Sequence, residues 1–269
     1  MSEMVPGLER GLKVLTEFSA REPVLGAPEL TKRLGIPRST VFRLLQTLES
    51  LGFVERVDKD RNYSLGPSVL QLGYGYLASL EISQVGLPII QSLRDTTGLA
   101  CHIVIRDERH IVFVAKAQSH LPVFRSVKVN VGTRLPAHAA THGHVLMGDL
   151  ELDELRALYP ERYLQRFTPL TPATVEDLYE RVKEDRQRGY SIGESSFESG
   201  ISVVSAPVRD RTGKIVAVTT ATIPRAKVDA ALLENGLIGK VKKAADDLSR
   251  CLLHRQEACS NYLERMELQ

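Results

Sequence analysis

The chain has 269 residues, 43% of them hydrophobic and 25% charged, and a formal net charge of +2. That is room for one small and one medium domain of ordinary soluble composition, and it excludes a whole-molecule attraction for nucleic acid, so any DNA affinity must come from local placement of charge. No apolar run approaches the ~20 residues of a membrane span, no signal peptide opens the chain, and Cys101, Cys251 and Cys259 form no disulfide framework, which points to a cytoplasmic protein with reduced thiols.

Residues 5–19 read as a first helix with Leu8, Leu12, Leu15 and Phe18 on one face, expected to pack behind the next two helices. Arg21-Glu22-Pro23-Val24 breaks it. Residues 27–34 form a second helix, with Pro28 in its first turn, where the missing N–H is no loss, and Gly35 placed to end it in the left-handed conformation. After Pro37 a third helix runs over 38–51 and stops at Gly52. Two short helices joined by a tight turn are the helix-turn-helix pattern. In the third helix Val41, Leu44, Leu45, Leu48 and Leu51 fall at helical spacing and face a core, while Ser39, Arg43, Gln46 and Ser50 line up opposite. Side chains of those types reach phosphates and base edges in a major groove. Between Leu30 and Leu48 there are four basic residues (Lys32, Arg33, Arg38 and Arg43) and no acidic one. Residues 53–57 and 63–65 then read as two strands around an Asp58-Lys59-Asp60-Arg61-Asn62 turn, the wing of a winged helix. Lys59 and Arg61 at its tip are candidates for backbone or minor-groove contact, weakened by Asp58 and Asp60.

Residues 68–82 are an apolar helical run carrying Val69, Leu70, Leu72, Tyr76, Leu77 and Leu80. A helix this apolar between two domains needs a partner, and its expected partner is its own copy in a second subunit, as in helix-turn-helix dimers that bind two half-sites. A helix follows over 83–97, capped by Gly98. Strands are expected over 100–105, 110–117, 123–129, 202–208 and 215–223, and helices over 137–147, 152–158, 174–188 and 228–254. Strands and helices mixed around one antiparallel sheet give an α+β domain and not a doubly wound nucleotide-binding sheet.

The order of these elements and their residues resembles the IclR family of transcriptional regulators. The resemblance is carried by Leu8-Glu9-Arg10-Gly11-Leu12, Leu34-Gly35-Ile36-Pro37-Arg38-Ser39-Thr40-Val41, Leu51-Gly52-Phe53-Val54-Glu55-Arg56 and Tyr63-Ser64-Leu65-Gly66. It continues through Gly132-Thr133-Arg134-Leu135-Pro136-Ala137-His138-Ala139, Arg188-Gly189-Tyr190-Ser191 and Glu198-Ser199-Gly200-Ile201, and so covers nearly the full chain. It implies a winged helix-turn-helix domain over 1–66, a dimerising linker helix over 67–82, and a GAF/PAS-like effector-binding domain over 83–269. It implies a regulator without a cofactor, binding double-stranded operator DNA and a small organic acid, as a homodimer with tetramerisation left open. Two departures stand near the family's ligand site: His144 where Lys or Arg is usual, and Val203 where many members have Cys. The effector therefore cannot be copied from a relative.

The DNA-contacting residues expected are Arg38, Ser39, Thr40, Arg43 and Gln46, with Lys32, Arg33, Lys59 and Arg61 beside them. By position in the family, the effector is expected against Leu135, Thr141, His142, Glu194, Val203, Thr220 and Thr222. Thr220 and Thr222 sit two apart on a strand and share a face, so their hydroxyls can meet one polar group between apolar walls. His138 and His142, four apart on the expected helix, have a spacing that suits a metal, with Cys101 or His102 as a further ligand. The HExxH pattern is absent and the resemblance gives His138 a structural place in LPxH, so both histidines are assigned to the lining of the effector pocket and no metal is expected. His144, if protonated, would meet an anionic effector. No GxSxG elbow, P-loop or dinucleotide fingerprint is present, and no enzyme is expected. The rival reading is a small-molecule or metal-dependent enzyme using the second domain's pocket.

Overall fold

The protein is described here by a computed structural model covering residues 4–19, 21–57, 62–119, 129–234 and 236–267. The chain divides into two compact units, 1–79 and 80–269.

In the first unit α1 (Pro6–Thr16), α2 (Ala27–Leu34) and α3 (Arg38–Ser50) accompany a small antiparallel sheet of β1 (Leu25–Gly26), β3 (Asn62–Leu65) and β2 (Val54–Arg56), in that order. Gly35 ends α2 with φ 64°, a conformation glycine adopts without a Cβ clash, and its N–H reaches Thr31 O at 3.0 Å. β2 and β3 form the wing. Arg56 ties it to α3 by a 2.9 Å bond to Glu49, and stacks its guanidinium 5.4 Å above the ring of Tyr63 on the neighbouring strand. The two-residue β1, too short to show any alternation in sequence, pairs Leu25 with Tyr63. Val14, Leu30, Val41, Leu45 and Val54 are fully buried in the core of this unit, each stabilising it by roughly 1.5–3 kcal/mol.

Three expectations fail in this unit. Leu8 and Leu12 are 64% and 53% exposed; the buried stripe of α1 is Gly11 and Val14, continued past the helix by Phe18. The stripe passes through a glycine that sits against Leu44, and a count of apolar side chains overlooks a glycine. Leu51, expected in the core, is exposed because it is the residue at which the chain leaves α3. The apolar run after the wing becomes α4 (Ser68–Ser79), which has no buried residue; Leu70, Leu72, Tyr74 and Tyr76 are all exposed. It stops at Ser79, not 82, because Leu80 turns extended and caps the next helix.

The second unit is a six-stranded antiparallel sheet with strand order β6-β5-β4-β9-β8-β7. Its strands are β4 (Ala100–Asp107), β5 (His110–Ala117), β6 (Arg134–Pro136), β7 (Ser191–Glu194), β8 (Ser202–Arg209) and β9 (Ile215–Ile223). On one face lie α5 (Glu81–Thr97) and the long α10 (Leu237–Glu267), so close that a Cβ on Gly86 of α5 would meet Ile103 of β4 and Leu248 of α10. On the other lie α6 (Thr141–Leu146), α7 (Leu152–Leu158) and α8 (Val175–Arg188), packed with Val104, Phe113 and Val218 of the sheet. α8 is closed at its start by a reciprocal Thr174–Asp177 capping box and at its end by Gly189. This is the α+β architecture expected.

Local differences remain. The helix expected over 137–147 begins only at Thr141; residues 137–140 form a turn, preceded by the short edge strand β6. The helix expected from 228 is divided into α9 (Ala230–Glu234) and α10, with Gly236 at φ 72° between them. Of the strand expected over 123–129, residues 123–128 lie outside the described residues, and Val129 is not in a strand.

Candidate nucleic-acid face and buried polar cluster

α3 presents one face to the core through Val41 and Leu45 and the other to solvent. On the solvent face Arg38, Ser39, Arg43 and Gln46 are exposed, Thr40 is half-buried, and Lys32 is exposed on α2. Arg38 and Arg43 have no ion pair among the described residues. Two cations with uncommitted guanidinium groups, one turn and a half apart on a helix that has no acidic residue before Glu49, suit a polyanion.

Arg33 does not join them. Its guanidinium bonds Glu22 and Glu29 at 2.7 Å each and approaches Glu17 at 3.7 Å. The bond to Arg33 holds the Glu22 carboxyl below its ordinary range. Arg33 is thus the hub that ties α2 to the end of α1 and the following loop, a role that charge counting along the chain could not separate from DNA contact. Lys59 and Arg61 lie outside the described residues.

In the second unit the strand registers assemble a row that no local pattern shows. Ser191 pairs with Ser205, Ser205 with Thr220, Thr220 with His102, and His102 with Lys116, so five polar residues cross five strands in line. Residues directly opposite one another share a face. This is the face covered by α6, since Val104 and Val218 of the same parity pack with α6 and a Cβ on Gly193 would strike Thr141. The next row along is Gly193, Val203, Thr222 and Ala100. Thr141, Val203, Thr220 and Thr222 are therefore brought together, with His142 on α6 above them.

The polar atoms of this cluster are buried and unanswered. Among the described residues, Ser205 Oγ, Thr220 Oγ1 and all four ring nitrogens of His102 and His142 have no hydrogen-bond partner. Phe113 stands between the two imidazoles, edge-on to each at 5.3 Å. Burial pushes His102 and His142 down to about 3, with the His142 imidazole and Lys116 adding to the effect at His102, so both are neutral at pH 7. At the ends of the row Ser191 bonds Asp185, and Lys116 donates to Val129 O at 2.5 Å. Leaving a polar group buried and unpaired costs about 1–3 kcal/mol, so six such atoms in one place are a feature the fold alone does not explain.

The remaining expected residues fall elsewhere. Glu194 has the opposite strand parity from Gly193, accepts the Val228 N–H at 2.8 Å, and lines a shallow cleft with Leu170, Arg181, Ile192 and Ser196. Leu135 packs against the apolar core beneath α6–α8. His138 is in the turn before α6, not on the helix, and its Nε2 donates to Gln165 O at 2.8 Å. It therefore does not share a helix face with His142. Among the described residues no group of three or more His, Cys, Asp or Glu side chains could hold a metal ion. His144 is fully buried, donates from Nε2 to His138 O at 2.9 Å, and is pushed by burial to about 4. It is neutral at pH 7 in the ligand-free chain, so the protonation on which contact with an anion depended is absent there. His102 and Ser205 were the members that periodicity could not find, because only register places them beside Thr220.

No helix among the described residues is long and apolar enough to cross a membrane. Residues 7–58 match the model of the IclR helix-turn-helix domain, and residues 74–250 match that of the bacterial transcriptional regulator IclR C-terminal domain. The chain is 29% identical over 249 residues to the HTH-type transcriptional regulator XynR of Escherichia coli, covering 93% of this chain and 98% of that one. It is 29% identical over 253 residues to the p-hydroxybenzoate hydroxylase transcriptional activator of Acinetobacter baylyi, covering 91% of each. Its fold superposes with a TM-score of 0.78 on an IclR homologue of Microbacterium hydrocarbonoxydans complexed with 4-hydroxybenzoate, at 20% identity, covering 91% of this chain and 98% of that one.

Proposed function

The chain belongs to the IclR family of bacterial transcriptional regulators, and from that premise we propose how this DNA-binding regulator reads its operator and is switched. Arg38, Ser39, Thr40, Arg43 and Gln46 of α3 enter the major groove, with Lys32, Lys59 and Arg61 on the phosphates. α4 packs its exposed Leu70, Leu72, Tyr74 and Tyr76 on a second subunit, so that two reading heads meet two half-sites. A small organic acid is bound under α6 by Thr141, His142, Val203, Thr220 and Thr222, joined by His102 and Ser205, and shifts the separation of the heads. The rings of Phe113, His102 and His142 suit an aromatic acid, the class named for two of the similar proteins. The protein is cytoplasmic, controls a catabolic operon and catalyses no reaction. A metal-dependent enzyme at the same place fits poorly, because among the described residues no group of three or more His, Cys, Asp or Glu side chains could hold a metal ion.

The observation that carries the regulatory reading is the exposed face of α3, with two cationic side chains available to a polyanion. The test is binding of the purified protein to its own upstream intergenic DNA, with excess unrelated duplex and a salt series. Arg43→Ala is expected to weaken specific binding about 10- to 100-fold, the loss of one bidentate base contact, and to leave ligand binding by the second unit intact. Binding that follows salt alone, with the variant equal to wild type, would leave only a non-specific affinity.

The buried cluster yields its own expectation. Thr220→Val removes an unpaired buried hydroxyl at nearly constant volume, so the free protein should gain about 1 kcal/mol in unfolding stability while losing its response to the acid. A variant less stable than wild type would mean the hydroxyl has a partner in the folded chain and is not held for a ligand.

A further inference from the structure

Phe42 is 46% exposed on α3, belongs to neither hydrophobic core, and has Arg38 one turn before it and Gln46 one turn after it. An aromatic side chain left in water at the middle of a polar face gives up burial that α3 uses at Val41 and Leu45, and nothing in its own unit explains it. The three side chains lie within about 40° of one another around the helix at each step and span about 12 Å along it, the height of three to four base pairs. Arg38 and Arg43 flank Phe42 with positive charge, so the surface around it matches a phosphate-lined groove and opposes a basic or purely apolar partner. In the major groove the apolar feature presented by a base pair is the thymine C5 methyl.

We infer that Phe42 reads a thymine methyl group, so that α3 distinguishes T from C at one position of each half-site through an apolar contact set between Arg38 and Gln46. This rests on the placement of α3 in the major groove proposed above. The contact carries specificity because a cytosine at that position presents an amino group and no methyl to the ring. It also explains why the ring is tolerated in water: its covering surface arrives with the operator.

The experiment begins with full-length protein selecting duplexes from a randomised pool. Each thymine of the selected half-site is then replaced singly by uracil, which removes only the methyl, and binding is measured for wild type, Phe42→Ala and Phe42→Leu. One thymine per half-site should show a loss of about fourfold for wild type on going to uracil, the factor for burying one methyl. Phe42→Ala should bind thymine DNA more weakly and show no further loss with uracil; Phe42→Leu should keep part of the discrimination. Wild type indifferent to uracil everywhere, or a penalty that persists unchanged in Phe42→Ala, overturns the inference while leaving a selected operator. A pool that yields no preferred sequence overturns instead the reading of α3 on which it rests. The thermal unfolding midpoint of Phe42→Ala should match wild type, because the side chain it removes is outside the core.

Discussion

Lowering the pH from 7 to 5 is expected to remove about 6 kcal/mol from the stability of the second unit, comparable to the whole stability of many domains. His102, His142 and His144 are buried neutral, and burial pushes them to about 3, about 3 and about 4. In the unfolded chain each titrates near 6.5, so below that pH the unfolded state binds more protons than the folded one and stability falls as pH falls. Each histidine costs about 2 kcal/mol by pH 5, and the loss continues until pH falls through the folded-state values of about 3 to 4. Above about pH 7.5 these residues contribute almost no slope. His138, also lowered by burial, adds in the same direction. Carboxylates held low by ion pairs, such as Glu22 and Asp247, act at more acid pH than this window and do not mimic the effect. Urea unfolding of the full chain, followed by a probe in the second unit at half-unit steps from pH 7.5 to 4.5, checks it. His102→Gln should flatten the slope by about one proton, or about 1.4 kcal/mol per pH unit. A stability that is level between pH 6.5 and 5 would mean that water or a carboxylate reaches these imidazoles.

Gly143→Ala is expected to destabilise the second unit by about 3 kcal/mol or more, at or beyond the upper end for overpacking. A Cβ on Gly143 would lie 2.0 Å from Ala137 O and 2.6 Å from both Ala137 C and Cα. All three are backbone atoms, so no rotamer change relieves the clash. Either the turn over 137–140 or α6 itself must move, and α6 roofs the buried cluster. Gly86→Ala is the control. Its Cβ would meet Ile103 Cδ1 at 2.1 Å, the far end of a side chain that can rotate, and Leu248 at 3.3 Å. Thermal unfolding should place Gly143→Ala well below Gly86→Ala, and ligand response should be lost with it. Equal midpoints would show that the 137–140 turn adjusts freely, contrary to the packing of α6 on β7, β8 and β9.

Both expectations concern residues whose importance the chain order hides. His102 is one letter in an alternating strand, and Gly143 one glycine among 19. The DNA-binding half was far more legible. Pro28 and Gly35 bracket α2 and Pro37 opens α3, because caps are read by residues three or four places away, and the same signal let Gly98 and Gly189 close α5 and α8 in the second unit. The faces of α3 follow from the same short-range period, and so does the strand pair around residue 108.

The errors have a common physical origin. The assignment of Leu8 and Leu12 to the core, and the intramolecular partners of Arg33 and Glu194, each required knowing what lies across the chain from the residue. Arg33 meets Glu22, 11 residues away, and Glu194 meets Val228, 34 away. The residue types and their local spacing were enough to specify the helices, the turn, the wing, the mixed second domain and the family they resemble, because hydrogen bonding within helices and turns is local. Which side of each strand faces α6 depends on register across five strands, and a shift of one residue would turn every side chain to the other face. Hence the row from Ser191 to Lys116 came into being only with the packed sheet, as did the neutral, unpaired histidines that burial creates.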